Sequence, residues 1–205
     1  IYKYKLMNTY PLFTPKFGNL TKKIQTEYII YYINLGKLSK ESLSNIKIIS
    51  LNASNNPEDE IYFWQLYSII GEAPIHNLIE KFYTNIFNDK KNIWFSEEFI
   101  DTGTIKYHVR GQKNFWLDIM GGGPHYKGGE LKLHKKHKLV DNIMNTESAI
   151  IWMNHMINSL DEVGFNKIKD KRIIKCIKKF LYFFINKYSV EFDFNFFTDN
   201  INSKL

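Results

Sequence analysis

Three consecutive glycines followed by a proline, Gly121-Gly122-Gly123-Pro124, set the tightest limit on how this chain folds. Glycine costs a helix interior about 1 kcal/mol relative to alanine, and proline lacks the N–H and clashes with the preceding turn. No helix runs through such a stretch. The apolar segment before it, F-W-L-D-I-M over 115–120, is therefore predicted to be a helix end. A connection follows, carrying a short basic segment, L-K-L-H-K-K-H over 131–137, that presents His134 and His137. A second apolar helix then opens near Asn145 and Thr146, either of which can cap it. It carries Ala149, Trp152, Met153, Met156, Ile157, Leu160 and Val163 at spacings of three and four.

The same period recurs on both sides. Ile75, Leu78, Ile79, Phe82, Tyr83, Ile86 and Phe87 make one face of a helix that starts near Pro74. A helix over about 104–120 places His108 and Gln112, four apart, on the stripe of Ile105, Val109, Phe115 or Trp116, and Ile119. Two polar side chains facing a core need partners there. Asp170 caps a last helix with Ile173, Ile174, Ile177, Phe180, Leu181, Phe184 and Tyr188.

Elsewhere the pattern is looser. Residues 1–20 read as an extended aromatic arm broken by Pro11, Pro15 and Gly18. Residues 21–50 read as two helices, and 52–57 as a linker. Residues 58–70 read as a short helix, 88–103 as a loop, and 189–198, V-E-F-D-F-N-F-F within it, as strand-like. This divides the chain into an arm and helical extension (1–57), a helical domain (58–188) and an aromatic tail (189–205).

Composition removes several function classes. No run of about 18 apolar residues marks a membrane span. A single cysteine, Cys176, among Ile173, Ile174 and Ile177, excludes an internal disulfide and a cysteine zinc site and reads as a buried, inert thiol. The net charge of +7 comes from dispersed lysines, so nucleic acid is not a favoured partner. There is no P-loop, H-E-x-x-H or nucleophile elbow, and the glycine run follows a helix rather than a strand, the wrong context for a phosphate cradle. The chain opens on Ile1, which reads as a fragment or a processed form with a leader removed.

Five segments in order resemble the truncated, or 2-on-2, haemoglobin family, group II-like. They are I-I-G-E-A-P-I-H-N-L-I-E-K-F-Y at 69–83, W-F-S-E-E at 94–98, F-W-L-D-I-M-G-G-G-P-H-Y at 115–126, G-E-L-K-L-H-K-K-H at 129–137 and A-I-I-W-M-N-H-M at 149–156. The resemblance implies an all-α, globin-like 2-on-2 helical sandwich holding haem b. It implies His137 as the axial iron ligand, with Leu133 and Gly129 preceding it at the family's spacing. Tyr83, Phe95, His108, Gln112, Phe115 and Trp152 match positions around the haem. The chain departs from the family pattern in following His137 with Lys138-Leu139, in having Phe95 at a corner often held by tyrosine, and in having His108 where a small residue is common.

On pattern alone Tyr83 and Trp152 are packing aromatics, and His134 and His137 are histidines on a solvated basic segment. Under the resemblance His137 becomes the metal ligand, with His134 as the alternative. Neighbouring Lys132, Lys135, Lys136 and Lys138 would keep its ring neutral, as ligation requires. His108 has three readings: a donor to a bound gas, a second axial ligand, or a satisfied histidine in a globin that has lost haem.

Two functions follow as expectations. One is a haem protein binding O2, CO or NO, with NO or peroxide chemistry within its reach. The other is a globin-fold subunit of a larger assembly, with haem retained or lost, using residues 1–57 and 189–205 as contact surfaces. The expected setting is intracellular, the mitochondrion ahead of the cytosol.

Overall fold

The computed structural model describes residues 22–36, 38–54, 60–122, 125–126 and 143–196. The arm at 1–20 lies outside the described residues, and so does 127–142, which holds His134 and His137.

Helix α1 (Lys22–Asn34) ends at Gly36, whose φ of 69° is a left-handed value glycine adopts without a Cβ penalty. A 3-10 turn (Lys40–Leu43) and the short α2 (Ile46–Ile49) follow. Where the sequence suggested a linker, strand β1 (Asn52–Ala53) pairs antiparallel with β2 (Ile61–Tyr62). The predicted helix over 58–70 is therefore divided. After β2, the Tyr62 N–H donates to Gln65 Oε1 at 2.8 Å, a 3-10 turn spans Phe63–Gln65, and only α3 (Leu66–Ile70) is α-helical.

Four helices form the body: α4 (Glu72–Phe87), α6 (Ile105–Ile119), α7 (Thr146–Glu162) and α8 (Lys171–Glu191). Helix α4 packs against α6 and α7, and α8 packs against α7 and the two short strands. Each helix buries the face its period predicts, including Leu78, Phe82 and Tyr83 of α4 and Ile177, Phe180 and Leu181 of α8. Pro74 sits in the first turn of α4, where its N–H would have had no helical partner. Asn145 caps α7 by accepting from Ser148 N–H at 2.9 Å, and Asp170 caps α8 by accepting from Arg172 N–H at 3.0 Å.

Residues 88–103 are not a loop throughout: α5 spans Ile93–Thr102. Its start is built by Asp89, whose carboxylate accepts from the N–H groups of Lys91 and Asn92 at 2.9 and 3.0 Å. The buried Ser96 hydroxyl donates to the Ile86 carbonyl at 2.8 Å. With polar groups satisfied locally, the helix forms without a clear apolar stripe.

The strand-like alternation near 189 is also overridden. Ser189 is buried on the stripe of Ile185, and α8 continues through Glu191. The chain then turns at Asp193 (φ 52°), with Phe194 N–H donating to Ser189 O at 3.0 Å, and Phe196 is buried.

One apolar core joins the helical extension to the body. Tyr32 meets Trp64 at 4.7 Å between centroids, Phe63 meets Phe180 at 4.8 Å, and Trp116 meets Phe180 at 5.0 Å. Ile29, Leu38, Ile48 and Ile49 are buried with them, while Ile30, Tyr31, Leu35 and Leu43 stay exposed. Among the described residues no helix is long and apolar enough to cross a membrane.

The glycine break fits this core closely. Gly121 has φ 87°, and a Cβ there would lie 2.1 Å from the carbonyl oxygen of Trp64. Tyr67 N–H donates to Met120 O at 3.0 Å, tying α3 to the end of α6. The glycine thus ends the helix and lets two backbones touch.

Candidate functional site

Helices α4, α5, α6, α7 and α8 enclose a cavity of about 400 Å³, within the range of small-molecule and cofactor sites. Tyr83, Phe95, His108, Gln112 and Trp152 all line it. Phe115 does not. It is buried one layer behind, its ring 5.4 Å from that of Tyr126, which does line the cavity. His137 lies outside the described residues.

The walls are largely aromatic. Trp152 sits between Phe82 at 5.2 Å and Phe184 at 5.9 Å, so α7 is wedged between rings of α4 and α8. Phe95 meets Phe99 at 5.0 Å. The exposed Asp101, Thr102 and Tyr107 stand at the rim.

His108 stacks on Tyr83, ring centroids 5.1 Å apart and 23° from parallel. Its Nε2 lies 2.9 Å from the Phe99 carbonyl oxygen and 3.2 Å from the Thr102 hydroxyl. A carbonyl only accepts, so Nε2 carries the proton, and in the neutral ring Nδ1 keeps the lone pair. The polar pair read from the sequence thus separates. His108 is bound to the last turn of α5, whereas Gln112 has no side-chain partner among the described residues.

Several lining residues were not among the site residues named from the sequence. Tyr126 is positioned by the buried Asp118, which accepts from the N–H groups of His125 and Tyr126 at 2.6 and 2.8 Å. An acid inside the apolar string F-W-L-D-I-M was the available signal, since a buried carboxylate must have donors. Tyr188 and Phe194 line the cavity from the end of α8 and the turn beyond it. Burial, with Glu191 adding to it, pushes the Tyr188 phenol well above its ordinary value, so it is a donor at neutral pH. Thr146 holds the tail in place by donating to Asn195 O at 2.7 Å. Ser148, buried on the wall one turn before Trp152, has an Oγ with no hydrogen-bond partner among the described residues.

An aromatic, partly polar cavity between four long helices and α5 is what these residues build. The family model for bacterial-like globins matches residues 65–186. The chain belongs to the bacterial-like globin family, of the truncated haemoglobin type. The matched span of this globin begins at the 3-10 turn before α3 and ends within α8. It includes the stretch bearing His137 and excludes the extension and the tail. The globin matches none of the curated proteins with which it was compared. Among its described residues no group of three or more His, Cys, Asp or Glu could hold a metal ion.

Proposed function

We propose that this globin binds haem through His137 and holds a diatomic gas in the cavity beside Tyr83, Gln112 and Trp152. The observation that carries the reading is the cavity itself. Five of the six residues that the globin resemblance places around haem converge on one aromatic chamber, though they come from four different helices. The chamber's flat aromatic walls suit a macrocycle, and its orphaned Ser148 hydroxyl suits an occupant with polar atoms.

Haem, when bound, supplies an iron centre that takes up O2, CO or NO. The chain's own residues do the rest. His137 holds the group from the segment between α6 and α7. Gln112 offers amide N–H donors, Trp152 an indole N–H and Tyr83 a hydroxyl. Such donors stabilise partial negative charge on a small molecule and slow its escape. His108 acts through Tyr83: its Nε2 is committed to α5, and its ring face fixes the phenol by stacking.

The test is reconstitution of the full chain with haem, read by absorption. A Soret band that persists through gel filtration is expected. His137→Ala should lose the haem, while His134→Ala should keep it. Absence of any Soret band in the wild type would refute the reading.

A further inference from the structure

Ser148 is 1% exposed on the cavity wall, and its Oγ has no hydrogen-bond partner among the described residues. The helix does not need this hydroxyl, because the Ser148 N–H is already capped by Asn145 at 2.9 Å. Serine in a helix commonly bonds to the carbonyl four residues back, and that bond is absent here. The neighbouring Ala149 lines the same wall, so the packing accepts a bare methyl beside it. A buried hydroxyl without a partner is a net loss to the fold. It becomes a gain only when the cavity's occupant brings an acceptor.

We infer that Ser148 is a binding residue whose hydroxyl donates a hydrogen bond to an oxygen atom of the molecule filling the cavity. The inference rests on the haem reading. Within that reading the oxygen belongs either to a peripheral carboxylate of the haem or to the gas. The macrocycle's nitrogens are occupied by the metal and offer no alternative.

The prediction is a change of sign between two states of the full chain. Without haem, Ser148→Ala should melt at a higher temperature than the wild type, because the unpartnered group is gone. With haem, the same variant should bind its contents less tightly, by about five- to tenfold, the usual worth of one buried hydrogen bond. Two arms locate the acceptor. Faster haem transfer to an excess of a haem-scavenging apoglobin, with the difference reduced by haem dimethyl ester, whose ester carbonyls are weaker acceptors than a carboxylate, identifies the carboxylate. Faster CO release with a shifted CO stretching frequency identifies the gas. A variant that loads with haem and matches the wild type in both arms overturns the role of Ser148 and leaves the haem reading intact. A lower melting temperature without haem also overturns it. A wild type that takes up no haem overturns the reading on which the inference rests.

Discussion

The Nε2 atom of His108 lies 2.9 Å from the carbonyl oxygen of Phe99, joining α6 to the last turn of α5. That carbonyl is among the four that a helix end leaves without backbone donors, and the imidazole caps it together with the Thr102 hydroxyl, which donates to the same oxygen at 2.9 Å. The same bond fixes which ring nitrogen carries hydrogen. His108→Ala should destabilise the fold by about 1–3 kcal/mol, measured by urea denaturation. Haem-loaded protein should show the same ferric spin state with and without His108. A switch from low to high spin on substitution would make His108 a second axial ligand instead.

Gln112→Leu removes an amide that has no partner among the described residues and keeps most of the side-chain volume. Stability should change little. CO or O2 release from the haem-loaded protein, followed by flash photolysis or stopped flow, should quicken by about tenfold if one hydrogen bond to the gas is lost.

Gly121 and Gly36 both adopt left-handed backbone, at φ 87° and 69°, but only Gly121 is enclosed. At Gly36 nothing lies within 4 Å of a would-be Cβ. Gly36→Ala should therefore cost about 1 kcal/mol, the conformational term alone. Gly121→Ala should cost about 3 kcal/mol or more, because its Cβ would strike the Trp64 carbonyl and separate α3 from α6. Thermal melts of the two variants check the ranking.

Asp89 bonds to His155 at 2.8 Å, and its side chain is 9% exposed. Burial alone would raise its pKa, but hydrogen bonds from Asn92, from the Asn92 and Lys91 N–H groups and from His155 together outweigh burial and lower it to about 2. A folded-state value below the ordinary 3.8 stabilises the fold above that pH, and the contribution disappears as pH falls from 3.8 towards 2. Asp89→Asn should lower stability by about 1–2 kcal/mol at pH 7, less than the full shift implies because solvent reaches the pair's edge. Wild type and variant should converge at pH 2.

Burial pushes the Cys176 thiol up to about 12, with Asp170 and Glu60 adding to the rise against Lys179 and Arg172. Only thiolate reacts. An aromatic disulfide reagent at pH 8 should leave the folded chain unmodified and label it fully in 6 M guanidinium. Labelling at similar rates in both would show that Cys176 is accessible.

The long helices were legible in the sequence because burial imposes a period that does not depend on the partner. The stripes of α4, α6, α7 and α8, the caps Asn145 and Asp170 and the stop at the glycines could all be read locally. Helix α5 could not, since Asp89 and Ser96 build it through hydrogen bonds rather than an apolar stripe. Tyr83, Phe95, His108, Gln112 and Trp152, which line the cavity, were named as site residues only through the resemblance of their segments to truncated haemoglobins; periodicity alone made Tyr83 and Trp152 packing aromatics.

Only the tertiary structure decided what those side chains do to one another. Hydrogen-bond partners across helices carry no mark in local periodicity. Nothing in the string assigned His108 to the Phe99 carbonyl, placed Phe115 behind Tyr126, brought Phe194 to the cavity or left Ser148 without a partner. A chain writes its helices in the spacing of its apolar residues. Its chamber depends on the angles at which those helices meet, and packing alone sets them.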